Sequence, residues 1–167
     1  MKKADSRNSD VELSKQQECI CTTDASGVMV FAGERCDIPG AWQIPQGGVE
    51  ENETHLCAAI RELREETNIT NIKLLKNTNS LYRYDFPEWI VERNKNLFHE
   101  GFVGQEVRFF LFKFLGNDVE ISVDNCCCRE FTRWRWMKID HLIDGIVEFK
   151  RNAYAAAASE LGIYAKI

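Results

Sequence analysis

Short apolar runs separated by polar and turn-forming residues recur along the chain, and most of them have the length of a β-strand. Runs of this kind, bounded by Gly, Pro, Asn or Asp, are typical of strands packed in a sheet. The most apolar of them is Gln105–Leu115 (QEVRFFLFKFL), which predicts a central strand. The other predicted strands are Cys19–Thr23, Val28–Ala32, Trp42–Ile44, a mixed signal over Ile72–Tyr84, Val119–Val123 and Arg133–Met137.

Two further segments repeat apolar residues at the spacing of an α-helix. The first is predicted from Thr54, a good N-cap residue, to Thr67, and the second from Phe149 to Leu161, ending at Gly162. One helix after the third strand and one at the end, with strands between them, predict a mixed α/β/α sandwich of the α/β (α+β) class with a mixed β-sheet. The buried stripe of the first helix is predicted to be Leu56, Ala59, Ile60 and Leu63.

The segments between these elements are polar or rich in turn residues. Met1–Gln17 is predicted to be a flexible tail, so that a single domain covers residues 18–167. A turn is predicted at Asp24–Gly27, a loop at Glu34–Ala41 and a long irregular segment at Pro87–Gly101. A chain of 167 residues is long enough for one domain with its own core.

Charge and hydropathy limit the classes of binding partner that the chain is expected to have. The formal net charge is −5, whereas a broad nucleic-acid surface carries a basic excess, so no extended nucleic-acid surface is expected. The acidic composition is still compatible with a small site that binds one phosphate group, because bound cations supply positive charge locally. No apolar run approaches the roughly 18 residues that span a membrane, and no membrane partner is expected. The sequence leaves the oligomeric state open.

The cysteines favour a reducing compartment. The chain has seven, an odd number, with Cys126, Cys127 and Cys128 adjacent and no CxxC pair. Reduced thiols explain this arrangement best, so a cytoplasmic location is expected. The same spacing lacks the paired ligands of a zinc site.

Acidic residues are concentrated in the first predicted helix. Glu62, Glu65 and Glu66 share one helical face, because a helix turns once in about 3.6 residues. Like charges at this spacing repel one another and destabilise a helix. Mg²⁺ prefers carboxylate oxygens and keeps waters that a phosphate can displace. The cluster therefore indicates a site for a divalent cation, Mg²⁺ first, with Mn²⁺ or another divalent ion possible.

The segment Gly47–Ile69 (GGVEENETHLCAAIRELREETNI) resembles the Nudix box. That pattern reads Gly, five residues, Glu, seven residues, Arg-Glu, apolar, any residue, Glu-Glu, any residue, Gly, apolar. One position departs, because Asn68 stands where the family has Gly, and Asn tolerates the left-handed conformation that ends a helix. The positions in register are Gly47, Glu53, Arg61, Glu62, Leu63, Glu65, Glu66 and Ile69.

The resemblance implies roles for these residues. Glu62, Glu65 and Glu66 are the implied metal ligands. Arg61 is implied to pair with Glu53 and so to hold the loop and helix in register. The catalytic base is implied to be Glu65 first, while Glu130, outside the box, matches a glutamate that serves as metal ligand or base. Gly47 and Gly48 lack side chains, so backbone groups can approach metal or phosphate.

Shorter stretches are similar to one branch of that family, the RNA 5′ pyrophosphohydrolases and dinucleoside polyphosphate hydrolases. The branch usually begins its first strand with a Tyr-Arg-Pro-like segment whose arginine contacts phosphate. This chain has Leu13–Gln17 there, and Lys15 is the available cation, as a point charge. The matching stretches are Trp42–Gly48 (WQIPQGG), Tyr84–Pro87 (YDFP), Gly104–Phe110 (GQEVRFF), Glu130–Trp136 (EFTRWRW) and Phe149–Arg151 (FKR).

Substrate contacts are less distinct in the sequence. Phe149 matches an aromatic residue that stacks on a base in the branch, although an aromatic residue at a helix start also suits a core. Tyr84 has the same two interpretations. Arg35, Arg108 and Lys150 are candidate phosphate ligands, whereas single basic residues are more often solvated.

The sequence favours a Mg²⁺-dependent pyrophosphohydrolase that cleaves phosphoanhydride bonds of nucleoside polyphosphates. A triphosphorylated RNA 5′ end and a dinucleoside tetraphosphate remain alternative substrates. The alternative of another class is a non-catalytic nucleotide-binding module on a Nudix scaffold. Such modules normally lose box carboxylates, and none is lost in this chain.

Overall fold

The structure is a computed structural model that describes residues 13–23, 29–94, 102–124 and 129–163. The predicted turn at Asp24–Gly27 and residues 95–101 of the predicted irregular segment lie outside the described residues. The elements in chain order are β1 (Leu13–Thr22), β2 (Met29–Arg35), β3 (Trp42–Gln43), β4 (Gln46–Gly48), α1 (His55–Thr67), β5 (Ile72–Asn77), β6 (Tyr82–Asp85), α2 (Glu88–Arg93), β7 (Gly104–Phe114), a 3-10 turn (Asp118–Glu120), β8 (Phe131–Lys138), α3 (Ile139–Gly145) and α4 (Glu148–Leu161).

All eight described strands join one mixed sheet. β7 is central, as its apolar sequence predicts, because it pairs in parallel with β1 and antiparallel with β5 and β6. β1 and β2 pair at Thr22 and Val30, whereas nearer the start of β1 the partner is β4, opposite Gln16–Glu18. β2 pairs instead with β3 and β8. The sheet therefore divides between β1 and β2, and β4 lies at that division.

Helices cover both faces of the sheet, which confirms the predicted mixed α/β/α architecture. Alternate residues of β1 and β7 point to opposite faces. Ile20 and Phe109 pack in one core cluster with residues of α3 and α4, including Tyr154. The residues that point the other way, such as Cys19 and Phe110, pack in a second cluster with α1. The sheet thus holds α1 and α4 on opposite sides of β1.

Local signals place the ends of the long helices. Thr54 is the N-cap of α1, and its hydroxyl accepts a hydrogen bond from the Cys57 N–H at 3.1 Å. Asn68 ends that helix in the left-handed conformation with φ 60°, and Gly162 ends α4 with φ 71°. Within the stripe of α1, Ile60 is exposed and Ala58 is buried in its place, so the prediction for Ile60 is wrong.

The predicted tail overlaps a strand at its end, and its residues Met1–Glu12 lie outside the described residues. Leu13–Gln17 belong to β1, whose residues from Leu13 to Thr22 pair in parallel with Gly104 to Lys113 of β7. Their polar composition hides the strand from a search for apolar runs. The backbone ladder to β7, together with the pairing to β4, favours the strand over the propensity of its polar side chains.

Three further elements differ from the prediction. The predicted strand Val119–Val123 is wrong, because Asn117 and Glu120 cap a 3-10 turn there and Val119 is exposed. Part of Pro87–Gly101 forms α2. This helix buries no residue, so its sequence lacks the helical spacing of apolar residues from which a helix would be predicted. The short α3 was not predicted, although it buries Ile139, Leu142 and Ile143. Across the described ranges, no helix is long and apolar enough to cross a membrane.

Candidate active site

Arg61 links the helix α1 to the loop before it. Its Nε and Nη2 donate to the two carboxylate oxygens of Glu53 at 2.9 and 3.0 Å, as the sequence predicts for this pair. Nη2 also donates to the Gly48 carbonyl at 2.9 Å. On the helix, Nη1 donates to Glu62 at 2.7 Å and to Glu65 at 3.3 Å. These bonds raise the pKa of the Arg61 guanidinium, so it stays charged and holds the loop against the helix.

Gly47 lies directly beneath the Glu62 side chain. A Cβ atom built on Gly47 would be 1.9 Å from Glu62 Cδ and 2.1 Å from its Oε1. The predicted need for glycine therefore has a physical cause at this position, because the carboxylate occupies the space of a side chain. At Gly48 the corresponding Cβ would meet the Gln16 side chain at an ordinary 3.6 Å, so the protein itself leaves room for a side chain there, and the approach of metal or phosphate to the Gly48 backbone stays a prediction.

Glu66 lies at the division between β1 and β2. Its Oε2 accepts a hydrogen bond from the Gln46 N–H at 3.2 Å. Burial raises the pKa of the Glu66 carboxyl well above its usual range, and repulsion by Glu130 and then Glu62 raises it further. Burial also raises the pKa of Glu62, against the opposing effect of Arg61. The carboxylates of Glu130 and Glu62 thus both repel that of Glu66.

This donor set fits a divalent cation. Within the described ranges, no three acidic, His or Cys side chains converge tightly enough to form a closed metal cluster. The reason is visible at Arg61, which draws Glu62 and Glu65 toward its guanidinium. Glu65 is exposed, with 59% of its side chain accessible. Carboxylate oxygens are the ligands of hard cations, and a cation would relieve the repulsion around Glu66.

A buried polar network lies on the α4 side of the same division. Lys150 is 2% exposed, and its Nζ donates to Glu18 at 3.4 Å, to Gln43 at 3.3 Å and to Gln46. The Tyr154 hydroxyl donates to the other Glu18 oxygen at 2.6 Å. Burial raises the pKa of Glu18, and Lys150 opposes that rise. Glu18 was missed from the sequence, where a lone glutamate just before the predicted strand Cys19–Thr23 gives no signal of burial.

The predicted substrate ligands divide into buried and accessible side chains. Lys150 and Tyr84 are buried, at 2% and 5% exposure, and their polar atoms form hydrogen bonds within the protein. The Tyr84 hydroxyl donates to Gln105 and, at 3.5 Å, to Glu18. Phe149 is partly buried, with its ring centroid 5.8 Å from that of Tyr84. The structure therefore gives these residues packing contacts, and their substrate contacts stay predictions.

The predicted phosphate ligands Arg35 and Arg108 lie apart. Arg35, at the end of β2, donates from Nη1 to Gln43 at 2.7 Å and from Nε to Asp37 at 2.8 Å. Arg108 lies on the α1 face of β7 and donates to the Thr78 carbonyl at 3.2 Å. Burial lowers the pKa of His55, and the charges of Arg108 and then Lys15 lower it further, so these cations share the region at the start of α1.

Several known proteins are similar to this chain over most of its length. RNA pyrophosphohydrolase of Dinoroseobacter shibae is 38% identical over 151 residues, which cover 87% of this chain and 91% of that protein. RNA pyrophosphohydrolase of Orientia tsutsugamushi is 35% identical over 136 residues, covering 81% and 82%. Nudix hydrolase 26, chloroplastic, of Arabidopsis thaliana is 37% identical over 142 residues, covering 84% of this chain and 65% of that protein.

Solved structures agree on the fold. The E. coli dihydroneopterin triphosphate pyrophosphohydrolase superposes with a TM-score of 0.67 at 19% identity, covering 86% of this chain and 95% of that chain. A C. elegans Ap4A hydrolase binary complex gives 0.61 at 19% identity, covering 88% and 96%. The sequence model described as the NUDIX domain matches residues 18–157. The chain, with its Arg61 hub and clustered carboxylates, therefore belongs to the NUDIX domain family.

Proposed function

We propose that this chain is a divalent-cation-dependent pyrophosphohydrolase that cleaves a phosphoanhydride bond of a nucleoside polyphosphate. The observation that carries the proposal is the environment of Glu66. Its carboxyl group is partly buried beside Glu62 and within the field of Glu130, with one backbone N–H as its neutral partner. A bound divalent cation would offset this repulsion, and the proposed cleavage requires such a cation.

The cation would be held by Glu62, Glu65, Glu66 and Glu130. Mg²⁺ is the first choice and Mn²⁺ a substitute, because both prefer oxygen ligands. When bound, such an ion neutralises phosphate charge, orients the polyphosphate and makes water a better nucleophile. Arg61 is a positioning residue, since its contacts to Glu53 and Gly48 hold the entry loop against α1.

Proton transfer in hydrolysis is assigned to a carboxylate. Glu65 is the first candidate for the base that accepts a proton from the attacking water, because its side chain is accessible and its bond to Arg61 is long, at 3.3 Å. Glu130 is the second, since it is exposed and its charge acts on Glu66. The water oxygen forms a bond to phosphorus, and the bridging P–O bond breaks with its electrons leaving on the departing phosphate.

A triphosphorylated RNA 5′ end is the first candidate substrate. Two relatives at 35% and 38% identity carry the name RNA pyrophosphohydrolase and are covered by this chain over most of their length. The products would be monophosphorylated RNA and pyrophosphate. A dinucleoside tetraphosphate is the second candidate, because the net charge of −5 disfavours a long RNA and Lys15 stands where the branch has an arginine. Its products would be a nucleoside triphosphate and a monophosphate.

The test is product analysis with both substrates in parallel. Purified protein receives diadenosine tetraphosphate or a triphosphorylated RNA oligonucleotide with Mg²⁺, and initial rates are compared. We expect turnover that stops in EDTA and returns with excess Mg²⁺, with RNA the faster substrate. Faster cleavage of diadenosine tetraphosphate would make the dinucleotide the first candidate substrate and RNA the second. A lack of turnover of either, with or without metal, would refute the enzyme and leave a binding module. The cytoplasmic location stays a prediction.

A further inference from the structure

A pocket beside the active site has no role in the proposed chemistry. It lies between the loop that follows β2 and the helix α2, and its lining includes Arg35, Asp37, Ile38, Trp89, Ile90 and Arg93. Trp89 is 50% exposed and is the single exposed aromatic side chain among the described residues. The pocket thus combines an accessible indole face, aliphatic walls and two guanidinium groups.

The charges of the pocket favour an anion next to an aromatic ring. Arg35 grips Asp37 with two bonds, at 2.8 and 2.7 Å from Nε and Nη2. Those bonds lower the pKa of the Asp37 carboxyl, and the charge of Arg93 contributes to the same lowering. Two of the residues that line the pocket are cations and one is a carboxylate, so the lining itself carries one excess positive charge.

Arg35 connects this pocket to the active site. Its Nη1 donates to Gln43 Oε1, the same oxygen that accepts a bond from Lys150. The residue after it, Cys36, donates its backbone N–H to the Glu130 carbonyl at 2.9 Å. The segment that carries Glu130 toward Glu66 is therefore anchored at the edge of the pocket.

We propose that this pocket binds a nucleoside 5′-phosphate unit of the substrate. The base stacks on the Trp89 indole, and the phosphate lies between Arg93 and Arg35. Stacking suits every base, because each has a π face, and guanidinium groups favour phosphate oxygens. The inference rests on the proposed function for its substrate class. Both an RNA 5′ end and a dinucleoside polyphosphate carry such a unit.

Direct binding tests the pocket without catalysis. Adenosine 5′-monophosphate is titrated by calorimetry into the wild type, Trp89→Ala, Trp89→Phe and Arg93→Gln. We expect Trp89→Ala to weaken binding by roughly 5- to 150-fold, the range that base stacking contributes, and Trp89→Phe to retain most of the affinity. Arg93→Gln should weaken binding and reduce its salt dependence. Ribose 5-phosphate, which lacks the base, should bind with the same affinity to the wild type and to Trp89→Ala.

A matched control removes an exposed apolar side chain elsewhere. Leu81 is 44% exposed and lies outside the pocket, so Leu81→Ala should bind the monophosphate like the wild type. Thermal melting shows whether each variant is folded. Equal affinity of the wild type, Trp89→Ala and Trp89→Phe for the monophosphate would overturn the inference, as would an absence of binding to the wild type.

Steady-state kinetics then show which substrate supplies the nucleoside 5′-phosphate unit that the pocket binds. KM is measured for diadenosine tetraphosphate and for triphosphorylated RNA with the wild type and Trp89→Ala. A rise in KM for one substrate assigns the pocket to that substrate, and a rise for both assigns it to the shared unit. Unchanged KM values for both would refute the inference while leaving the proposed function intact. Failure of the wild type to turn over either substrate would instead refute the proposed function, and the binding result would stand by itself.

Discussion

Substituting Gly47 by alanine changes one atom at the position where the entry loop meets the carboxylates. The new Cβ would be 1.9 Å from Glu62 Cδ and 2.5 Å from its Cγ. Carbon atoms pack at about 3.5–4.0 Å, so the Glu62 side chain or the loop must move by roughly 1.5 Å or more. Glu62 cannot make that movement and keep its 2.7 Å bond with Arg61. The substitution therefore displaces an implied metal ligand with no change in charge.

The expected effect on activity exceeds the effect on stability. A charge-assisted hydrogen bond contributes about 1.5–3 kcal/mol, and both partners are partly exposed to solvent, so we expect a loss of about 1 kcal/mol in the free energy of unfolding. A displacement of about 1 Å at a catalytic centre costs roughly 100-fold in rate. We therefore expect Gly47→Ala to remain folded, to bind Mg²⁺ more weakly and to lose about two orders of magnitude in kcat/KM.

Gly48→Ala is the matched control. Its Cβ would meet Gln16 Nε2 at 3.6 Å, an ordinary contact, so activity and melting temperature should stay near those of the wild type. Both variants are assayed for melting temperature, for Mg²⁺ affinity and for initial rate of pyrophosphate or nucleotide release. Gly47→Ala activity within twofold of the wild type would refute the placement of Glu62 over Gly47.

Three further changes test other parts of the site. Glu65→Gln should stay folded and lower turnover by roughly 10²–10⁴-fold, and normal turnover in a folded protein would exclude Glu65 as base and ligand. Lys150→Met should lower the free energy of unfolding by about 3–5 kcal/mol, because it leaves the buried Glu18 carboxylate without its cation. The double variant with Glu18→Gln should recover stability, as measured by chemical denaturation. Several hydrogen bonds, of which the one from Tyr82 has the largest effect, lower the pKa of Glu160 below its usual 4.5. The folded state therefore protonates the Glu160 carboxylate less readily than the unfolded state does. Its stabilisation is therefore present above pH 4.5 and is lost as the pH falls through the folded pKa, and the melting temperatures of wild type and Glu160→Gln should converge in that acidic range.

Local signals made the box helix predictable. Thr54 as N-cap and Asn68 as the left-handed terminal residue act on neighbouring backbone groups, so their effect is written within a few residues of sequence. The pairing of Arg61 with Glu53 is also close in sequence, within one loop and two turns of helix. The carboxylate cluster follows from helical spacing alone. These features need no knowledge of the tertiary fold.

Features that depend on distant partners were not predictable in the same way. Glu18 is buried because Lys150, Tyr154 and Tyr84 surround it, and these come from α4 and β6. The polar start of β1 is a strand because β7 pairs with it along its whole length. The sequence suggested that Lys150 contacts substrate. In the fold, Lys150 donates a hydrogen bond to the buried Glu18, a partner that the sequence does not reveal.

Gln46 shows how the two halves of the site are joined. Its side-chain oxygen accepts a hydrogen bond from Lys150 on α4, and its backbone N–H donates to Glu66 on α1. The neighbouring Gly48 carbonyl accepts from Arg61 at 2.9 Å, and β4 pairs with Gln16–Glu18 of β1. The loop before the box helix is thus fixed from both faces of the sheet. Lys150 and Glu66 therefore bond to the same residue, so Lys150 has a structural role in joining α4 to the carboxylates of α1.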